Sequence, residues 1–125
     1  MHYTLPPGVY YIGDISLALS AYNLNKNSDF MGKYRVKTHE GNSFEYVVAP
    51  TTLGNGIYNG SNGDKFIVLK GCIGMVPIYL LDEHNMIDNT YEFDYLVDFT
   101  WNHGIFTISS IDFNLIINTN LYLLN

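Results

Sequence analysis

The chain has 125 residues, of which 47% are hydrophobic, and its twelve Asp and Glu against six Lys and Arg give a formal net charge of −6. This length fits one domain, so we expect residues 1–125 to form a single domain. The composition excludes a disordered chain, which combines low hydrophobicity with high charge. The shortage of basic residues argues against nucleic acid and against membrane surfaces as partners, because both attract clustered Lys and Arg.

Strand-forming residues dominate the composition. Aromatic residues make up 15% of the chain and charged residues only 14%, which favours strands over long solvated helices. Residues 9–12 are the first predicted strand, and Asp14 can cap a short helix over residues 15–22. Apolar and polar side chains then alternate over residues 33–38 and 44–48, which predicts a hairpin. Further short strands are predicted at residues 56–58, 66–69 and 72–76.

The longest alternation of apolar and polar side chains covers residues 91–101 and predicts one half-buried strand. Residues 102–104 then form a tight turn, and a returning strand follows. The phase of the alternation slips at residues 109 and 110, which predicts a β-bulge. About eight or nine short strands with frequent turns predict an all-β fold with one short helix, arranged as an antiparallel sandwich or barrel.

No catalytic or metal-binding motif stands out. The four His residues lie far apart, and the sequence contains no nucleophile elbow, phosphate loop or zinc spacing. Glu92, Asp94 and Asp98 share one face of the predicted long strand, with Asp112 opposite. Such carboxylates can hydrolyse glycosides, but on an exposed sheet they more often prevent edge pairing. We expect no catalytic residue, no metal and no cofactor.

The single cysteine, Cys72, lies among apolar residues and glycines, so we expect a buried thiol rather than a nucleophile. Since one cysteine forms no intramolecular disulfide, the chain fits a reducing compartment. The N-terminal residues lack the basic and apolar regions of a signal peptide, and no apolar run approaches the ~18 residues that cross a membrane. We therefore expect an intracellular protein, located in the host cytoplasm or the virion if its source is viral.

Tyrosine and asparagine supply most of the candidate binding residues. Tyrosine offers amphipathic contact area at protein interfaces, and tyrosine beside asparagine also suits sugars through stacking and hydrogen bonds. The alternative is that each tyrosine lies in the core with its hydroxyl at the rim. The candidates are Tyr10, Tyr11, Asp14, Asn55, Tyr58 and Trp101.

Three segments resemble small uncharacterised bacterial and phage proteins. They read Pro-Gly-x-Tyr-Tyr-Ile-Gly-Asp at residues 7–14, Gly-Asn-Gly-Ile-Tyr at 54–58 and Gly-Cys-Ile-Gly-Met-Val-Pro at 71–77. Similar proteins often carry Asp where Asn55 stands, and Asp-Ser-Gly or Asp-Ala-Gly at residues 69–71. The resemblance implies a mostly β fold and a phage or viral setting, but no activity. The many Asn, Ile and Tyr residues, whose codons are AT-rich, fit an AT-rich virus.

Three functions follow from these observations. The first is a non-catalytic viral or phage-type accessory or structural protein that acts through self-association or protein binding, which the aromatic strands and the apolar tail at residues 121–124 favour. The second is a carbohydrate-binding β-sandwich that uses Tyr and Asn on the glycine-rich loops. The third is a small hydrolase that uses Asp14 with another acid. The expected partner is a second copy or another protein, with carbohydrate as the alternative.

Overall fold

The computed structural model describes residues 1–15, 31–37, 40–80 and 88–121. The predicted helix, after Ile15, and residues 122–125 of the tail lie outside these ranges. The described residues form eleven strands and a 3-10 turn at Ile78–Leu80. The strands are β1 His2–Leu5, β2 Gly8–Gly13, β3 Gly32–Lys37, β4 Ser43–Pro50, β5 Gly56–Asn59, β6 Lys65–Val68, β7 Cys72–Pro77, β8 Thr90–Phe93, β9 Val97–Asn102, β10 Ile105–Ser110 and β11 Phe113–Asn118.

The strands form three antiparallel sheets. One sheet has five strands in the order β3-β4-β7-β2-β8, and a second has four in the order β1-β9-β10-β11. The third is the hairpin of β5 and β6, which an isolated bridge between Gly60 and Ile117 joins to β11. The described strands make a sandwich-like arrangement and no closed barrel, so the predicted all-β class is confirmed in its sandwich form.

The main core lies between the two larger sheets. Each sheet turns alternate side chains inward, as the two-residue period of a strand requires. The β5–β6 hairpin adds Tyr58 and Phe66, both fully buried, to this core. Burial of a large apolar side chain contributes about 1.5–3 kcal/mol, so this cluster dominates the stability of the fold. The other fully buried members are Leu5, Ile12, Val47, Ala49, Ile73, Met75, Val97, Phe99, Phe106, Ile108, Leu115 and Ile117.

The five-stranded sheet is apolar on both faces. Tyr11, Val48 and Val76 point away from the sandwich core and form a second buried cluster with Leu80. The central strand β7 is buried at all six positions, as expected of a strand covered on both sides. This two-sided burial explains why Tyr10 and Tyr11, which are neighbours on β2, are both buried.

The turn between β9 and β10 is confirmed. His103 and Gly104 have φ angles of 49° and 84°, and two consecutive positive φ values are characteristic of a type I′ turn. The Gly104 carbonyl accepts the backbone N–H of Thr119 at 2.9 Å and its hydroxyl at 2.5 Å. A Cβ atom on Gly104 would overlap the Thr52 side chain, which would have to move to accept any other residue there.

Two predictions of strand continuity are wrong. Residues 91–101 are not one strand, because β8 belongs to the five-stranded sheet and β9 to the four-stranded sheet. The phase slip at residues 109 and 110 is not a bulge. Ser110 pairs with Phe113 across a two-residue turn at residues 111 and 112, and the chain reverses direction there. With the unpredicted β1, these two divisions raise the strand count.

Candidate functional site

The hydroxyl groups of Tyr10 and Tyr11 both donate hydrogen bonds to backbone carbonyls of the protein itself. The Tyr10 hydroxyl donates a hydrogen bond to the Pro6 carbonyl at 2.7 Å, and the Tyr11 hydroxyl donates to the Asp14 carbonyl at 3.3 Å. Burial raises the pKa of each to about 12, with smaller contributions from the negative charges of Glu45 at Tyr10 and Asp14 at Tyr11. Both hydroxyls therefore stay protonated at neutral pH.

Asp14 holds the turn between β6 and β7. Its side chain is fully buried, and Oδ2 accepts the backbone N–H groups of Leu69 at 2.6 Å and Lys70 at 3.1 Å. The two hydrogen bonds are part-buried, and a backbone donor that is shut off from water without a partner costs about 1–3 kcal/mol. A carboxylate oxygen is the strongest acceptor that the chain offers for them. The geometry of Asp14 is therefore that of a structural anchor.

Cys72 lies beside this anchor. Its thiol is buried and contacts the Lys70 carbonyl, with Sγ at 3.5 Å from the oxygen. Burial raises the pKa of the thiol to about 11, and the negative charge of Asp14 adds to the rise. Since the nucleophile is the thiolate, a thiol that stays protonated at neutral pH is inert. The predicted buried thiol is confirmed.

Asn55 and Tyr58 approach the same turn from its other side. The Tyr58 hydroxyl donates to the Gly54 carbonyl at 2.7 Å, and the Thr51 hydroxyl donates to it at 2.6 Å. Asn55 is exposed, and a Cβ atom on Gly71 would lie 3.7 Å from its Oδ1. The structure thus places Asp14 and Asn55 at residues 69–71, whereas Tyr11 contacts Asp14 and Tyr58 contacts Gly54.

Tyr10 and Trp101 lie apart from that turn. Tyr10 faces the sandwich core, whereas Trp101 lies at the end of β9 and is half-buried. The Trp101 indole N–H donates to the Pro50 carbonyl at 2.9 Å, which ties β9 to the end of β4. The six binding residues proposed from the sequence remain predicted contacts with another molecule.

The outer face of the β5–β6 hairpin carries an exposed apolar pair beside an exposed polar pair, Asn59 and Lys65. Ile57 and Ile67 are directly opposed across the two strands, and their side chains are 42% and 58% exposed. Leu69, two residues beyond Ile67, is 51% exposed. We call these three residues the hairpin face. Sequence analysis missed it, although two consecutive apolar residues in so short a strand already imply that one of them points outward.

A second exposed surface is aromatic. Phe44 and Tyr79 stack with ring centroids 5.5 Å apart and an interplanar angle of 25°. Tyr79 is 72% exposed. This pair lies beside the second apolar cluster, on the side of the five-stranded sheet that faces away from the sandwich core.

The acidic residues of the described ranges are dispersed. No group of three or more His, Cys, Asp or Glu residues is placed there to hold a metal. Glu92 and Asp98, predicted on one strand face, belong to different sheets. Asp98 accepts hydrogen bonds from Thr4 at 2.7 Å and from His2 at 3.0 Å. Both bonds lower the pKa of Asp98, and the bond from Thr4 has the larger effect.

The asparagine-glycine loop between β5 and β6 is closed by its own side chains. The Asn62 amide donates to the Asp64 carboxylate at 2.9 Å, and the Tyr91 hydroxyl donates to the same carboxylate. Burial is the main cause that raises the pKa of Tyr91, and the hydrogen bond to Asp64 is the second. Both of these hydrogen bonds are accepted by Oδ2 of Asp64.

Comparison with protein-family models, with curated proteins and with solved structures gave no match to this chain. Within the described ranges, no helix has the length and apolar character needed to cross a membrane.

Proposed function

We propose that this protein is a non-catalytic accessory or structural protein that acts by self-association. The observation that carries the proposal is the hairpin face. One side of the β5–β6 hairpin is fully buried in the core through Tyr58 and Phe66, while the other presents Ile57 and Ile67 to solvent. Contiguous exposed apolar residues mark interaction sites in soluble proteins.

A second copy is the partner that we propose for the hairpin face. A two-fold axis between two copies brings the same surface of each together, so the Ile57–Ile67 pair of one copy can pack on that of another. Salt does not screen such an apolar contact, whereas it weakens contacts between exposed charges. The viral or phage setting belongs to this proposal and is supported by the resemblance of residues 7–14, 54–58 and 71–77.

Solution mass measured by light scattering tests this proposal. We expect the unaltered protein to reach twice 14.2 kDa with rising concentration at high salt, and the double variant Ile57→Thr/Ile67→Thr to stay at 14.2 kDa. Threonine keeps the strand preference of a β-branched residue while removing apolar area. Ile111→Thr is the matched control, because Ile111 is 80% exposed but lies in the β10–β11 turn. A hairpin variant that pairs as well as this control would refute the proposal.

Carbohydrate binding is the second candidate function, and the stacked Phe44–Tyr79 pair supports it. An exposed ring that is held flat by a second ring is suited to stacking against the apolar face of a sugar. On a glycan array, we expect a bound sugar to be lost in Tyr79→Ala and kept in Tyr95→Ala, since Tyr95 is also exposed but lies between β8 and β9. Absence of binding to every glycan would remove this candidate.

A hydrolase that uses Asp14 receives no support from the geometry. The carboxylate is fully buried, and its Oδ2 already accepts two backbone N–H groups.

A further inference from the structure

The two outer strands of the five-stranded sheet carry charges of opposite sign. At one edge, β3 carries Lys33, Arg35 and Lys37, which are three of the six Lys and Arg residues in a chain of net charge −6. All three are exposed. Glu45, which lies 2.7 Å from Lys33 Nζ and 3.0 Å from Arg35, offsets part of this charge. This edge is therefore basic in an acidic protein.

The opposite edge of the same sheet is acidic. Glu92 lies within β8, and Asp88 and Asp94 flank the strand at either end. All three side chains are exposed. One copy thus presents a basic strand at one edge and an acidic strand at the other.

Both edges are open to strand pairing in the described part of the chain. There, β3 pairs only with β4, and β8 pairs only with β2. The outward backbone N–H and C=O groups of an outer strand form a template for another strand. Strand addition at such an edge gains affinity from main-chain hydrogen bonds, and the side chains provide specificity.

The strand directions determine how two copies would meet. Four antiparallel steps separate β3 from β8, so the two strands run in the same direction. Antiparallel pairing of β3 with the β8 of a second copy therefore requires a half-turn of that copy about an axis that lies in the sheet, perpendicular to the strands. This rotation reverses the strand direction and also exchanges the two faces of the sheet. The four-stranded sheets of the two copies then lie on opposite sides of the joined sheet and do not collide.

This orientation brings the opposite charges to the same side. Lys33 is directly opposite Val47, so the basic side chains of β3 point to the core side of their sheet. Tyr91 is opposite Tyr10 and points to the core side, so Glu92 points away from it. Once the second copy is turned over, its Glu92 faces the basic side chains of β3. Opposite charges across paired strands stabilise the pairing.

We propose that copies of this chain associate by antiparallel pairing of β3 in one copy with β8 in the next. The contact uses two different surfaces, so a pair of copies keeps one basic edge and one acidic edge free, and the assembly grows as an open row. This inference rests on the proposed self-association, but it uses the sheet edges and not the hairpin face. Unlike the hairpin contact, it depends on exposed charges and weakens with salt.

Two charge-reversed variants test the pairing. Arg35→Glu/Lys37→Glu makes both edges acidic, and Glu92→Lys/Asp94→Lys makes both edges basic. In dilute salt, we expect the unaltered protein to form assemblies of more than two copies as its concentration rises. Each variant alone should stop at or below twice 14.2 kDa. An equimolar mixture of the two should grow again, because each contact then joins a basic strand to an acidic strand.

The controls separate edge pairing from other effects. Asp112→Lys changes an exposed charge in the β10–β11 turn and should grow as the unaltered protein does. Growth of the unaltered protein beyond two copies should disappear at ~1 M salt, where screening acts over only ~3 Å. This salt dependence needs no variant, so it tests the pairing even where a variant fails to fold.

Several outcomes would overturn the edge pairing alone. They are growth of either variant by itself, a mixture that does not grow, growth that persists at ~1 M salt, and an unaltered protein that stops at two copies. The hairpin pairing would survive each of them. A mass of 14.2 kDa at every concentration and salt would overturn both, and it would mean that the charged edges serve to prevent pairing.

Discussion

Asp14 is the residue whose side chain most directly fixes a turn. The helix-capping role predicted for it concerns residues outside the described ranges, whereas its contacts with Leu69 and Lys70 join positions 55 and 56 residues apart in the sequence. No local pattern reveals so distant a contact. Sequence analysis singled out Asp14, but the backbone amides that it serves become evident only in the folded chain.

Asp14→Asn should lower the free energy of unfolding by about 1–3 kcal/mol, because a neutral amide replaces the carboxylate that accepts two part-buried N–H groups. Urea denaturation measures the change. The matched control is Asp112→Asn, an exposed carboxylate in a turn, for which we expect a change within about 0.5 kcal/mol. The Cys72 thiol provides a second readout, since removal of the Asp14 charge should lower its pKa. Equal stability of the two variants would show that Asp14 does not anchor the turn.

Gly104→Ala tests the tight turn between β9 and β10. We expect the free energy of unfolding to fall by more than about 1 kcal/mol, because the φ of 84° disfavours any side chain and the new Cβ would lie 1.8 Å from Thr52 Oγ1. Gly63→Ala is the control. Gly63 has a φ of 91° but no atom within 4 Å of a new Cβ, so it reports backbone strain alone. Thermal unfolding that is equal for both would contradict the clash with Thr52.

At the scale of elements, turn chemistry was predictable where the sequence contains glycine. The turn at His103 and Gly104 follows from a residue pair that tolerates positive φ. The turn at Ile111 and Asp112 was missed because neither residue has a positive φ, so it carries no such signal. A two-residue reversal and a one-residue bulge both disturb the two-residue period, and the pattern alone does not separate them.

The β5–β6 hairpin shows a second limit at this scale. Both strands were predicted, but the side on which Ile57 and Ile67 lie depends on packing against the rest of the fold. Tyr58 and Phe66 occupy the inner side because the core between the larger sheets accommodates their rings. Ile57 and Ile67 therefore point to solvent, and the hairpin face is a consequence of which alternate side chains face the core.

At the scale of the whole molecule, hydrophobic patterning predicted the all-β class but not the assignment of strands to sheets. Residues 91–101 keep one inward-facing phase while the chain passes from one sheet to the other between Phe93 and Val97. Alternation reports only which side chains face the core, and the core is shared by both sheets. The sheet that a strand joins depends on partners far away in the sequence, which a local pattern does not contain.

The burial of the tyrosines that were chosen as binding residues has the same cause, because it too depends on the arrangement of the sheets. Tyr10, Tyr11 and Tyr58 were chosen as amphipathic residues, yet the fold buries all three and bonds their hydroxyls to backbone carbonyls. The structural alternative considered for tyrosine, a ring in the core, fits these positions. Exposure depends on the global arrangement of sheets, so the apolar surface at Ile57 and Ile67 becomes apparent only in the folded molecule.

The central claim is that this chain pairs with itself through an apolar hairpin face. The most direct test is the solution mass of the unaltered protein, measured by light scattering over a range of concentrations at ~1 M salt, where contacts between exposed charges are screened. Our account predicts a mass that rises from 14.2 kDa towards twice that value. A mass that stays at 14.2 kDa up to the highest concentration would contradict it.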